Sequence, residues 1–193
     1  MPPELPPEPW LTLLREIDRA ATAPLHLHCI GGFALSVVYE SPRSTVDLDI
    51  LVTVLDRNAA AALMPARQGS ALHRRLGVYV HEVAVVTPPC EYESRLDEYC
   101  AGVFERIHLW IPDPYDLALL KLERNSTRDR EDVRWLARLS GFDPNELRRR
   151  FHEGAARIPD RAGGVARPNP ASLDRDDRGG PRLFHGRIGS GGR

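Results

Sequence analysis

Asp47 and Asp49 are separated by a single residue in segment 46–52, where the remaining positions are apolar or β-branched. Successive side chains of a β-strand point to opposite faces, so the two carboxylates would share one face, about 6.5 Å apart. Carboxylates at that spacing can converge on a hard divalent cation such as Mg²⁺. The alternation therefore predicts a strand that carries two metal ligands, although two surface acids on an edge strand would give the same pattern.

A glycine pair, Gly31-Gly32, lies between an alternating apolar segment, 25–30, and a short apolar segment, 32–39. We predict a strand over the first segment and a helix over the second. The N-terminus of a helix offers unpaired N–H groups and a partial positive charge, which favour a phosphate. Ser36, one turn into the helix, either adds a hydroxyl to such a site or faces solvent.

The glycine pair and the aspartate pair together resemble a known signature. The chain reads Gly-Gly-x-Ala-Leu from Gly31 and Arg-x-Thr-x-Asp-Leu-Asp-Ile from Arg43. These motifs, in this order and at short range, resemble the nucleotidyltransferase superfamily related to DNA polymerase β. The resemblance implies that the glycine backbone holds a triphosphate, that the two aspartates hold Mg²⁺, and that Arg43 and Thr45 belong to the nucleotide site. From the residues alone, Arg43 either contacts a phosphate or pairs with Asp47.

Superfamily members carry a third carboxylate on a neighbouring strand, where it can accept the proton of the attacking hydroxyl. Segment 78–87 is rich in β-branched residues and is predicted to be a strand. Glu82 is the acid inside it and is therefore the candidate for a third catalytic carboxylate. A strand glutamate that faces solvent is the alternative interpretation.

Lys121 is the one lysine among 26 basic residues. A lysine kept where arginine serves everywhere else favours a position that a guanidinium cannot fill, and chance survival of one lysine on a helix surface is the alternative interpretation. It lies in Asp-Leu-x-x-x-Lys-Leu, followed by Arg-Asp-x-x-Asp from Arg128, which resembles a bacterial subfamily that includes abortive-infection and MenT-type toxins. The resemblance implies that Lys121 contacts the triphosphate and that Asp129 or Asp132 supports the site. Ser126 and Asp129 would also fit a helix capping box.

Length and composition are those of one ordinary globular domain with tails: 193 residues, 42% hydrophobic and 27% charged, with a net charge of −1. We predict a proline-rich lead over 1–9, a nucleotidyltransferase domain over 10–153 and a disordered tail over 154–193. The chain has neither a long apolar run nor a signal-peptide pattern, which predicts a cytoplasmic protein without a membrane partner. Its three cysteines lack metal-site or disulfide spacing.

The sequence therefore predicts an α/β fold: a small mixed sheet with flanking helices and a helical C-terminal part. The predicted activity is Mg²⁺-dependent transfer of a nucleoside monophosphate from ATP or another nucleoside triphosphate to an acceptor hydroxyl. By resemblance, the acceptor is a tRNA 3′ end and the protein a toxin checked by an antitoxin. Two alternatives are a catalytically impaired binding or regulatory protein and an enzyme that modifies small aminoglycoside-like molecules. Arg148, Arg149 and Arg150 are predicted to be exposed on a helix, either as a solvated face or as the candidate surface for an RNA backbone.

Overall fold

The computed structural model describes residues 5–51, 57–84 and 86–156. Over these residues the chain forms a mixed α/β domain, which confirms the predicted fold class. The helices are α1 (Trp10–Ala20), α2 (Gly31–Phe33, continued by a π-helical turn over Ala34–Val38), α3 (Arg57–Leu63), α4 (Ala71–Leu76), α5 (Pro114–Arg124), α6 (Thr127–Leu136) and α7 (Pro144–Ala156).

Five strands form one mixed sheet in the order β3-β2-β1-β5-β4. The strands are β1 (Leu25–Ile30), β2 (Asp47–Leu51), β3 (Tyr79–Val83), β4 (Leu96–Tyr99) and β5 (Ile107–Pro112). The central strand β1 runs antiparallel to β2 and parallel to β5. Strand β2 is also parallel to β3, so β2 lies between the two elements that approach its aspartates.

The two faces of the sheet differ in chemistry because side chains alternate along each strand. One face is apolar and buried; its residues are Leu25, Leu27, Cys29, Leu48, Ile50, Val80, Ile107, Leu109 and Ile111. The register places Ile30 beside Asp49 and Asp49 beside His81, so the opposite face carries the polar side chains. The aspartate pair therefore stands on a strand that is anchored from behind by its own buried residues.

Helix α1 is amphipathic, and its apolar side, formed by Trp10, Leu13, Leu14 and Ile17, joins the same hydrophobic core as the sheet. Trp10 makes an edge-to-face contact with Phe33 of α2, with ring centroids 5.1 Å apart. Phe33 is fully buried and directly follows the glycine pair. The core thus fixes the helix that begins at those glycines.

Most predicted elements are present, with shifted ends. The predicted strand 25–30 is found as such, and the predicted strand 78–87 is shorter, ending at Val83. Strand β4 was not predicted, because its sequence, Leu-Asp-Glu-Tyr, has little β-branched content. The tail predicted over 154–193 lies mainly outside the described residues, as does the first part of the lead over 1–9; residues 154–156 form the last turn of α7.

None of the helices within the described ranges has the length and apolar character needed to span a bilayer.

Asp18 fastens α1 to the start of β5. Its carboxylate accepts hydrogen bonds from the backbone N–H groups of Glu105 (3.2 Å), Arg106 (2.7 Å) and Ile107 (3.0 Å). Burial alone would raise the pKa of Asp18, but these three donors hold it below its ordinary value. The ionised carboxylate therefore stabilises the folded state at neutral pH.

We expect Asp18→Ala to lower the free energy of unfolding at pH 7 by about 1–3 kcal/mol, because three backbone donors lose a charged acceptor. Since the folded-state pKa is lowered, this contribution is present above the unfolded pKa of about 3.9 and is lost as the pH falls through the folded value. Urea unfolding at pH 7 and at decreasing pH measures it. Glu16→Ala, which removes surface ion pairs with Arg19 and Arg75, is the control and should cost less than about 1 kcal/mol.

Candidate active site

The aspartate pair lies beside the glycine turn, held there by the antiparallel pairing of β1 with β2. Asp49 is in register with Ile30, the residue before Gly31. A Cβ atom added to Gly31 would lie 1.9 Å from Asp49 Oδ2, and the backbone of Gly31 has a φ of +71°. Both observations require glycine here, so the carboxylate approaches the backbone more closely than any other residue would permit.

Gly32 permits a second close approach. A Cβ at Gly32 would lie 2.4 Å from Thr45 Oγ1, and Thr45 in turn donates a hydrogen bond of 2.6 Å to Asp47 Oδ1. Thr45 thus orients one carboxylate of the pair. Ser36 donates its hydroxyl proton to the carbonyl oxygen of Gly32 at 2.6 Å, so in this structure its hydroxyl is engaged within the helix.

Burial changes the proton affinity of the second carboxylate. Desolvation raises the pKa of Asp49 above its ordinary value, and the nearby charge of Asp47 raises it further, while a hydrogen bond from His81 and the charge of Lys121 act in the opposite direction. The ionised form of Asp49 is therefore held in place at some cost. A divalent cation bound by both carboxylates would remove that cost.

His81, rather than Glu82, joins the aspartates. Strand β3 runs parallel to β2 with His81 opposite Asp49, and His81 Nδ1 lies 2.8 Å from Asp49 Oδ1. Glu82 is opposite Ile50, on the other face of the sheet, where Arg67 Nε and Nη2 donate to its carboxylate at 2.6 and 2.9 Å. The predicted grouping of Glu82 with the aspartates is wrong, because side-chain alternation turns it away.

Lys121 is buried within a cluster of charges at the junction of α5 and α6. It is 4% exposed, and its Nζ lies 2.8 Å from Asp132 Oδ2 and 3.8 Å from Asp129 Oδ1. Asp129 forms the predicted capping box with Ser126 and also binds Arg124 through two hydrogen bonds. Burial would raise the pKa of Asp129, but these donors hold it well below its usual range.

Arg43 connects this cluster to the glycine turn. Its Nη1 donates to Asp132 Oδ2, and its Nη2 would lie 3.1 Å from a Cβ at Gly32. The sequence offered a phosphate or Asp47 as its partner, whereas the structure pairs it with Asp132. Its Nε is buried and has no hydrogen-bond partner in the described part of the chain. A buried N–H donor without an acceptor is costly, so the ion pair with Asp132 must hold the guanidinium in this position.

The geometry agrees with a comparison to known families. A sequence profile described as a nucleotidyltransferase of unknown function (DUF6036) matches residues 11–161. The chain belongs to this nucleotidyltransferase family. Neither the curated proteins nor the solved structures contain a significant match to it. Family membership supports the superfamily assignment and does not extend to the MenT-type subfamily.

The donor set of this nucleotidyltransferase fits Mg²⁺. Ligand atoms of Asp47, Asp49 and His81 lie within 4.8 Å of one another. Carboxylate oxygens are what Mg²⁺ prefers, whereas imidazole suits transition metals. Asp47 and Asp49 would therefore hold the ion, with His81 hydrogen-bonded to one of them. Such an arrangement of ligand and outer partner is common at metal sites.

The arginines predicted to face RNA are largely paired with acids. Arg149 binds Glu146 and Glu153, and Arg150 binds Glu146 together with Asp113 and Asp116. The prediction that all three are exposed is wrong for Arg150, whose side chain is 14% exposed. Arg148 is exposed and donates a hydrogen bond to Asn145 Oδ1 at 3.3 Å, and none of the acids in the described residues pairs with it. This surface therefore offers less uncompensated positive charge than its sequence indicates.

We expect Lys121→Arg to lower the free energy of unfolding by about 1–3 kcal/mol although charge is conserved. A larger, planar guanidinium must enter a buried position where Arg43 and Arg124 already bind the same two carboxylates. Thermal and urea unfolding measure the change, with Arg130→Lys on the exposed side of α6 as the control. Wild-type stability in Lys121→Arg would show that the site does not select an ammonium group.

Proposed function

We propose that this protein transfers a nucleoside monophosphate from a nucleoside triphosphate to an acceptor hydroxyl. One observation carries the proposal: two carboxylates on β2 are held against a glycine turn that no larger residue could form. The same arrangement brings metal ligands and the free N–H groups of a helix start to one place. Membership of a nucleotidyltransferase family supports the reaction class.

The chain's own residues would bind and orient the triphosphate. The backbone N–H groups at the glycine turn would face the phosphates, and the guanidinium of Arg43, whose Nη2 lies against Gly32, would place a positive charge beside them. Lys121 balances Asp132, so that the carboxylate keeps Arg43 in position without cancelling the positive charge of the site. Positioning and electrostatic stabilisation account for most catalysis of phosphoryl-group transfer.

Mg²⁺ held by Asp47 and Asp49 would neutralise the phosphate charge and stabilise the departing pyrophosphate. In the transfer, a bond forms between the acceptor oxygen and the α-phosphorus, the bond from that phosphorus to the bridging oxygen breaks, and pyrophosphate leaves. The proton of the acceptor hydroxyl passes to water. Thr45 and His81 each hold one of the two carboxylates through a hydrogen bond. We regard His81 as a positioning residue for Asp49.

For the acceptor and the biological role, we propose a tRNA 3′ end and a toxin that is checked by a separately encoded antitoxin. The support is the resemblance of the Lys121 helix and of the Arg-Asp-x-x-Asp motif to the toxin subfamily. ATP is the first donor to test, beside the other three nucleoside triphosphates.

A second candidate is a protein that binds nucleotides on this fold without turning them over. The observation that favours it is the absence of a third carboxylate from the aspartate cluster in the described part of the chain, since Glu82 is bound to Arg67. The two candidates differ in one measurable respect. A binding protein gains thermal stability from a Mg²⁺–nucleotide complex but releases no pyrophosphate.

We expect Asp47→Asn and Asp49→Asn each to abolish pyrophosphate release, because an amide is a poor ligand for Mg²⁺, while the fold persists. Asp49→Asn should be at least as stable as the wild type at pH 7. In the wild type the pKa of Asp49 is raised in the folded state, so ionisation of this carboxyl destabilises the fold. The loss of stability begins as the pH rises above the unfolded pKa of about 3.9 and is complete above the folded pKa. Transfer assays with four labelled triphosphates and total RNA, together with unfolding curves, measure both effects.

Retained turnover in both variants would contradict the metal mechanism. The toxin role has its own readout: expression of the wild type in a bacterial host should slow growth and alter tRNA 3′ ends, and expression of Asp49→Asn should not. Equal growth and identical tRNA ends in the two cultures would reject that role while leaving the transfer reaction standing.

His81 and Glu82 provide a matched pair on one strand. We expect His81→Ala to lower the transfer rate by about tenfold or more, as is usual for the outer partner of a metal ligand, whereas His81→Asn retains part of the hydrogen bond and part of the rate. Glu82→Ala removes a partly buried, bidentate pair with Arg67 and should change the rate little, at a cost of about 1–2 kcal/mol in stability. A larger rate loss in Glu82→Ala than in His81→Ala would restore the third-carboxylate interpretation.

A further inference from the structure

An open cavity of about 620 Å³ lies beside the candidate active site, between the segment that precedes β2 and one side of α6. Segment 41–44 forms one wall, and the other consists of residues of α6 and the turn after it. Trp135 contributes an apolar surface there and is fixed by a 2.9 Å hydrogen bond from its Nε1 to the carbonyl oxygen of Tyr39. The cavity is thus bounded by fixed elements on both sides.

Positive charge is concentrated in this cavity. Four arginines line it, Arg43, Arg128, Arg134 and Arg138, against two acids, Glu131 and Asp132. Asp132 is already bound by Lys121 and Arg43. Arg128 and Arg138 are exposed, and no acid within the described ranges pairs with either guanidinium. The whole chain has a net charge of −1, so this is a local excess of cations that a generally basic composition does not explain.

Arg43 joins the cavity to the aspartates. It lines the cavity, and its guanidinium also lies against Gly32, which touches Thr45, the hydrogen-bond partner of Asp47. Its buried Nε has no acceptor among the described residues. One end of the cavity is therefore formed by a guanidinium that also contacts the glycine turn beside the aspartates.

We propose that this cavity binds the phosphate backbone of a single-stranded nucleic-acid acceptor and leads its 3′ end to Asp47 and Asp49. The identity of the bound strand as acceptor rests on the proposed function. From Arg128 to Arg138, α6 and its following turn extend over roughly 15 Å, at about 1.5 Å per residue. A row of charges of that length exceeds the extent of a single triphosphate group and matches successive phosphates along a strand. Trp135 offers a surface against which a base can stack.

The test compares two surfaces by equilibrium binding, without Mg²⁺ or nucleotide. The probe is a fluorescent single-stranded RNA of mixed sequence, titrated at several salt concentrations. The cavity variant is a double mutant, Arg128→Glu with Arg138→Glu. The control is Arg148→Glu, a charge reversal of the same kind on the exposed surface of α7. Inorganic tripolyphosphate is the second probe. It resembles the triphosphate group of the nucleotide donor and has no nucleic-acid backbone, so it reports on the donor site alone. Circular dichroism checks that each variant is folded.

We expect the cavity variant to bind RNA at least about tenfold more weakly. The magnitude of the slope of log affinity against log salt should fall by about 1.4, because two phosphate contacts are lost and each contributes about 0.7 for a single strand. Arg148→Glu should bind RNA nearly as the wild type does, and tripolyphosphate affinity should be unchanged in both.

Three results would overturn the proposal: RNA affinity unchanged in the cavity variant, an equal loss in Arg148→Glu, or a loss of tripolyphosphate affinity with RNA affinity retained, which would assign the cavity to the donor. The binding assay does not involve turnover. Arginine-dependent RNA binding in a protein that releases no pyrophosphate would therefore reject the transfer reaction and leave the strand-binding cavity in place.

Discussion

The close approach of Asp49 to Gly31 is the contact on which the rest of the site depends. It exists because β2 pairs antiparallel with β1 and because Gly31 has neither a Cβ nor an ordinary backbone conformation. A side chain at Gly31 would displace the carboxylate, and a side chain at Gly32 would displace Thr45 and, through it, Asp47. The glycine pair is thus required by the packing of the protein itself, independently of any phosphate bound there.

Charge is arranged around this contact in two ways. The aspartates of β2 are partly buried near each other, and the pKa of Asp49 is raised mainly by desolvation, which makes the unliganded site unfavourable for its ionised form. Asp129 and Asp132 are more deeply buried, yet each is held by basic side chains. The first pair is therefore ready for a cation from outside, while the second is satisfied within the protein and serves to hold Lys121 and Arg43.

The two faces of the sheet carry different residues: one contributes to the hydrophobic core and the other carries the candidate site. Its apolar face belongs to the hydrophobic core, so the residues that directly follow the two aspartates, Leu48 and Ile50, are fully buried. The opposite face presents Asp47, Asp49 and His81. Because each strand alternates, the core fixes the polar residues without occupying the space in front of them. The arginine-lined cavity lies on the far side of Arg43 and extends the polar region along α6.

The sequence by itself determined the features that are local. Alternation in β2, the glycine pair, the capping box of Ser126 and Asp129, and the single lysine could all be read from residue types and short spacings, and the family signature follows from the same segments. Tertiary structure decided what depends on register and on contacts between distant segments. The choice between His81 and Glu82 is set by the pairing of β2 with β3, since a shift of one residue exchanges the faces of a strand. The partner of Arg43 is 89 residues away. The pairs of Arg149 with Glu146 and Glu153 lie at helical spacings and are local. Arg150, by contrast, is also bound by Asp113 and Asp116, which are 37 and 34 residues away. Only folding brings these acids near, because charges at long separation along the chain have no periodic signal.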